Sequence, residues 1–231
     1  MTSARRCSIA VLVSLLALAA CGGSTKKVDP AADLAVAKSA VLTAADVPGY
    51  TGSPHTSSDD IPAAAKKEFA ACMKAPTTIF DDTPGAQKAD SPDFAKGQAQ
   101  VSNNVEIDPK KSDVEKGWSQ ISKTEAAACL QKLFQSLITS GANDAQGVTF
   151  GPTSVTRFDV GIGNRSVGYA LKFSASGAGG KSAVFYADLV FVARDRAGLE
   201  FDFLDIDTPL NRTFETSLVQ TVYDRVGTKA K

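Results

Sequence analysis

Residues 183–206 read AVFYADLVFVARDRAGLEFDFLDI, and this stretch decides the fold. Ala183 to Val192 is a long strand, with Phe185, Ala187, Leu189 and Phe191 on one side and Val184, Tyr186, Asp188 and Val190 on the other, because successive side chains of a strand point to opposite faces. Asp195 to Gly198 turns the chain, and Leu199 to Ile206 returns as a second strand.

Working outward, the same pattern repeats upstream. Val167 to Phe173 alternates, bounded by the Gly161-Ile162-Gly163-Asn164 turn and by Gly177-Ala178-Gly179-Gly180. Val148 to Phe158 is another strand region, broken at Gly151-Pro152. Four successive strands on short turns make an antiparallel meander. Further upstream, Gln98 to Ile107 alternates with Ala99, Val101, Asn103 and Val105 on one face, while residues 51–60 and the stretch from Met73 to Lys96 read as polar loop. Helical text lies at Leu34–Leu42, Ile61–Met73, Asp113–Ile121 and from Thr124 to Gly141. Downstream, Pro209 opens a terminal helix whose Phe214, Leu218, Val222 and Val226 recur at four-residue spacing and should pack on the sheet. The expectation is α+β: an antiparallel sheet of about five strands with helices packed on one face.

The N-terminus carries an address. Arg5 and Arg6 precede an apolar run from Ile9 to Leu18, too short to span a bilayer as a helix and of the length of a secretory signal. Leu18-Ala19-Ala20-Cys21 follows and resembles the lipobox of bacterial lipoproteins. That resemblance implies cleavage before Cys21, acylation of its sulfur, and anchoring to the outer face of the cytoplasmic membrane. The organisation expected is a signal peptide over residues 1–20, a Gly- and Ser-containing tether over 21–33 and a single domain over 34–231.

Of four cysteines, Cys7 leaves with the signal and Cys21 carries lipid. Cys72 and Cys129 remain, and in an oxidising compartment their simplest state is one disulfide; the alternative is two buried free thiols. Both lie in Ala-rich helical text, where small neighbours let helices approach. Loss of Arg5 and Arg6 turns a chain of zero net charge slightly acidic, which argues against a nucleic-acid partner.

Catalytic chemistry is sparse. His55 is the only histidine and sits in a polar loop, where an exposed, partnerless ring is expected. Neither a Cys-x-x-Cys pair nor a histidine cluster offers zinc ligands. Asp202, Asp205 and Asp207 resemble a calcium cluster only until strand geometry turns Asp202 away from the other two. The reading is no enzyme, no metal and no cofactor. Phe201 and Phe203 share one face, and Phe185 and Phe191 share one face; they read as core, with a cleft for a lipid as the alternative.

One further resemblance rests on ordered motifs: Cys72; Ser91-Pro92-Asp93-Phe94-Ala95-Lys96-Gly97; the strand ending in Val105; Ala127-Ala128-Cys129-Leu130; Val155-Thr156-Arg157-Phe158; and Gly163-Asn164-Arg165-Ser166-Val167-Gly168-Tyr169. The order is similar to that of a group of actinobacterial lipoproteins and, more distantly, to the extracellular sensor domain of mycobacterial receptor kinases of the PknH kind. It implies an α+β domain with a cleft. The sensor family's two internal disulfides are reduced here to one. The functions expected are a non-catalytic ligand-binding or sensor-like module, a lipid or glycolipid carrier, or an unrecognised hydrolase, with the membrane as partner through Cys21 and a small molecule, lipid or other envelope component as ligand.

Overall fold

The computed structural model describes residues 28–55, 61–142, 148–177, 181–209 and 211–227. Cys21, the expected lipobox and the expected signal peptide lie outside the described residues. In chain order the elements are α1 (Pro30–Ala40), β1 (Thr51–Ser53), α2 (Ala63–Cys72), β2 (Gln87–Asp90), β3 (Asp93–Lys96), β4 (Ala99–Ile107), α3 (Lys111–Ile121), α4 (Ala126–Ala142), β5 (Thr149–Phe150), β6 (Ser154–Phe158), β7 (Ser166–Ser176), β8 (Ser182–Arg194), β9 (Ala197–Ile206) and α5 (Arg212–Val226).

All strand pairs are antiparallel, in the order β1-β3-β4-β9-β8-β7-β5, with β2 also on β4 and β6 also on β7. The expected meander is β6-β7-β8-β9. Its last strand pairs along the whole of β4, with Val105 opposite Leu199 and Val101 opposite Phe203. The α+β class and the open antiparallel sheet are therefore as expected, but nine strands are present among the described residues rather than about five. The additional ones are short: β1 lies in the stretch expected as polar loop, β2 and β3 lie in the next, and the expected Val148–Phe158 region divides into β5 and β6 at its Gly151-Pro152 break.

The helices do not all pack on one face. Alternation along paired strands puts Val101, Val105, Leu199, Phe201, Phe203, Val190 and Val192 on a front face, where α1 and α5 cover them. Tyr169, Val167, Leu189, Phe191 and Val155 lie on the back, beneath α2, α3 and α4. The reason is visible in Leu189-Val190-Phe191-Val192: a strand apolar on both sides needs a cover on both.

Local chemistry fixes the helix ends. Asp29 accepts from the Ala31 and Ala32 amides at 3.0 and 3.3 Å, so α1 starts at Pro30 rather than Leu34. Asn211 accepts from the Thr213 and Phe214 amides at 2.9 and 3.4 Å, so the terminal helix opens at Arg212 and not at Pro209. The disulfide Cys72–Cys129 ties α2 to α4 with their Cα atoms 5.6 Å apart.

Candidate functional site

The front face ends in a cleft of about 290 Å³. Four separated segments build it. The Pro48-Gly49 turn presents Tyr50; Gly49 has φ +82°, a conformation glycine adopts without strain. Lys96 closes β3 opposite Ala99, immediately before the Gly97 turn. Asp205 comes from the end of β9, and Asn211 and Phe214 from the start of α5. The Tyr50 and Phe214 rings stack with centroids 5.9 Å apart and planes at 13°. Lys96 Nζ lies 5.8 Å from the Tyr50 ring centroid.

The cleft therefore has an aromatic wall with a cation and an anion beside it. Among the described residues, neither Lys96 nor Asp205 makes an ion pair. Asp205 Oδ1 accepts from the Ile206 amide at 2.6 Å. Burial, and then the charge of Asp205, push the Tyr50 phenol up.

Behind this wall lies a buried acidic pair. Asp188 of β8 is 8 % exposed and Glu215 of α5 is 2 % exposed. Arg212 holds both: its Nη1 is 3.1 Å from Asp188 Oδ2 and 3.2 Å from Glu215 Oε2. The guanidinium lies 3.3 Å from the centre of the Phe158 ring. Phe158 in turn lies flat against Gly168, its Cα partner on β7, where an added Cβ would fall 2.0 Å from Phe158 Cζ. Burial first, and then the Asp188 charge, push the Glu215 carboxyl up to about 8. Asp188 is raised too, mainly by burial.

The back face corrects one expectation. His55 is not partnerless: its Nδ1 is 2.6 Å from Asp93 Oδ1, and each side chain is 32 % exposed. The cause is β1. Ser53 pairs with Asp93, which brings His55 beside that carboxylate. A histidine held by an aspartate is two-thirds of an acyl-transfer relay. The neighbouring hydroxyls Thr56, Ser57 and Ser58 lie outside the described residues.

The other sequence candidates separate. Phe201 and Phe203 are core, stacked at 6.1 Å. Phe185 stacks on Phe173 at 4.7 Å, half-buried on the back face. Asp202 and Asp205 face opposite sides of β9, and Asp207 accepts from the Val184 amide at 2.9 Å. The disulfide cysteines are distant in sequence from every cleft residue. The lining of the cleft escaped sequence reading: Phe214 read as one position of a core stripe and Asp205 as one of an acidic run.

Fold and cleft together define an α+β domain with an open antiparallel sheet and a small mixed-polarity cleft beside its terminal helix. No protein-family model and no curated protein matches the chain. Among solved structures it is similar to the extracellular domain of PknH from Mycobacterium tuberculosis, at 10 % identity and a TM-score of 0.33, over 76 % of this chain and 98 % of that one. It is also similar to PA94, a Pseudomonas aeruginosa protein of unknown function, at 17 % identity and a TM-score of 0.18, over 52 % of this chain and 67 % of that one. Likenesses at these scores bear on neither ligand nor activity. No helix among the described residues is long and apolar enough to cross a membrane.

Proposed function

We propose that this chain is an exported lipoprotein, anchored through Cys21 at the outer face of the cytoplasmic membrane, that binds a small polar ligand without catalysis. The observation that carries the reading is the cleft: Lys96 and Asp205 stand beside one stacked aromatic wall and, among the described residues, are not spent on ion pairs. Binding sites combine apolar contact area with a few polar groups that fix orientation, and about 300 Å³ is the lower end of their usual size. A lipid carrier needs a deep apolar cavity; this cleft is small and of mixed polarity.

Native mass spectrometry of the protein extracted from its own membrane tests the proposal. The expected result is a retained small molecule that Lys96→Ala and Phe214→Ala each release. A retained acyl lipid insensitive to both variants would favour carriage instead. The His55–Asp93 pair gives the hydrolase reading its one specific support, and His55→Ala separates the two. Ligand retention should survive that substitution, whereas an esterase activity abolished by it would identify an enzyme.

A further inference from the structure

We propose that the first turn of α5 is a proton-operated gate on the cleft: one proton held between Asp188 and Glu215 keeps that turn on the sheet, and its loss releases the turn together with Asn211 and Phe214. The inference rests on the cleft being the binding site for its functional meaning, but its structural content does not.

The geometry supplies the argument. Two carboxyls and one guanidinium meet where α5 begins. With one proton on the pair, the group of three is neutral. With none, it carries one net negative charge in a place where Glu215 is 2 % exposed, and an unpaired buried charge is strongly disfavoured. Glu215 Oε1 is buried and receives no hydrogen bond from the described residues. A proton on either acid lets it donate to the other, which meets that need. The charge of Asp188 and its hydrogen bond both favour the protonated form of Glu215, while Arg212 opposes it.

Among the described residues no cation other than Arg212 pairs with either acid. On α5 the facing group is Arg212 itself, 45 % exposed and already shared between the two acids. On β8 and β7 the next ionisable groups are Tyr186 and Lys172, whose Nζ is 5.3 Å from the Tyr186 ring. On β9 it is Asp205, another anion, and across the cleft Tyr50 and Lys96. On α1, Asp33 is held by Arg196 at 2.6 Å. Beneath Arg212, Phe158 and Gly168 bring no charge. The turn that would move is small and its exits are defined. The amides of Thr213, Phe214 and Glu215 all bond to Asn211, and Phe214 is the residue that stacks on Tyr50.

The sign follows from Glu215 titrating higher when buried than its ordinary value of 4.5. The docked turn holds its proton more tightly than the released turn does. Docking is therefore fully favoured below about 4.5 and weakens as pH rises through about 8.

Nuclear magnetic resonance on the full chain in detergent micelles tests this without any ligand, so a cleft that binds nothing leaves the result intact. From pH 6 to pH 9 the protection of the Glu215 amide, corrected for base-catalysed exchange, should fall by up to about a hundredfold. Contacts between the Tyr50 and Phe214 rings should weaken in step. Glu215→Gln, neutral at every pH, should flatten both responses. Should that variant not fold, the carboxyl carbons of the unaltered protein decide, since one of Asp188 and Glu215 must titrate near 8. The gate is overturned if both titrate below pH 5, if protection is equal at pH 6 and 9, or if Glu215→Gln shows the same fall. Release of the turn with the Tyr50–Phe214 contact intact would overturn its link to the cleft.

Discussion

Gly168 is a residue whose identity is set by a neighbour. The Phe158 ring occupies the space a side chain would need, and Arg212 rests on the other side of that ring. Gly168→Ala therefore moves Phe158, and Phe158 cannot move without disturbing the guanidinium that holds Asp188 and Glu215. Overpacking of this kind typically costs about 1–3 kcal/mol. Urea unfolding should show a loss of that size, whereas Gly198→Ala, at a position with no atom within 4 Å of an added Cβ, should lose less. The Asp188–Glu215 pair itself was hidden from sequence reading. Arg212 and Glu215 stand three apart on one helix, a spacing that announces an ordinary surface ion pair. What makes it something else is Asp188, arriving from a strand twenty-four residues before Arg212.

Among the elements, those with sustained periodicity were legible. β4 and β7 to β9 alternate over nine to thirteen residues, and α4 and α5 repeat apolar positions over several turns. β2 and β3 were not, because Gln87-Lys88-Ala89-Asp90 and Asp93-Phe94-Ala95-Lys96 are four residues each, half of them charged. They become strands because β4 offers them an edge, a tertiary cause that no local pattern records. The same blindness hid the partner of His55, since Ser53 finds Asp93 only through β1 pairing with β3. The α2–α4 pair was legible through its cysteines. Cys72–Cys129 closes a loop of 57 residues, and Cys129→Ala should lower unfolding free energy by about 2–5 kcal/mol, read from the denaturant midpoint under non-reducing conditions. Peptide mapping without reduction should recover the two half-cystines as one linked pair.

At the scale of the whole molecule, the address and the sheet set different requirements. The address rests on Leu18-Ala19-Ala20-Cys21, so Cys21→Ala should abolish incorporation of labelled palmitate; undiminished label would remove the anchor from the proposal. The sheet's requirement concerns time. β4 pairs β2 and β3 along one side and waits for β9 along the other, about a hundred residues later in the chain. Pairings so far apart in sequence are slow, because the intervening chain must be ordered before the contact returns anything. Until Ala197–Ile206 is available, one edge of β4 stays bare, and the two halves of the sheet have no seam. A nascent chain of this sequence therefore cannot complete its fold early. On the export route proposed above, that delay would keep the polypeptide threadable through a translocation channel until nearly all of it has been made.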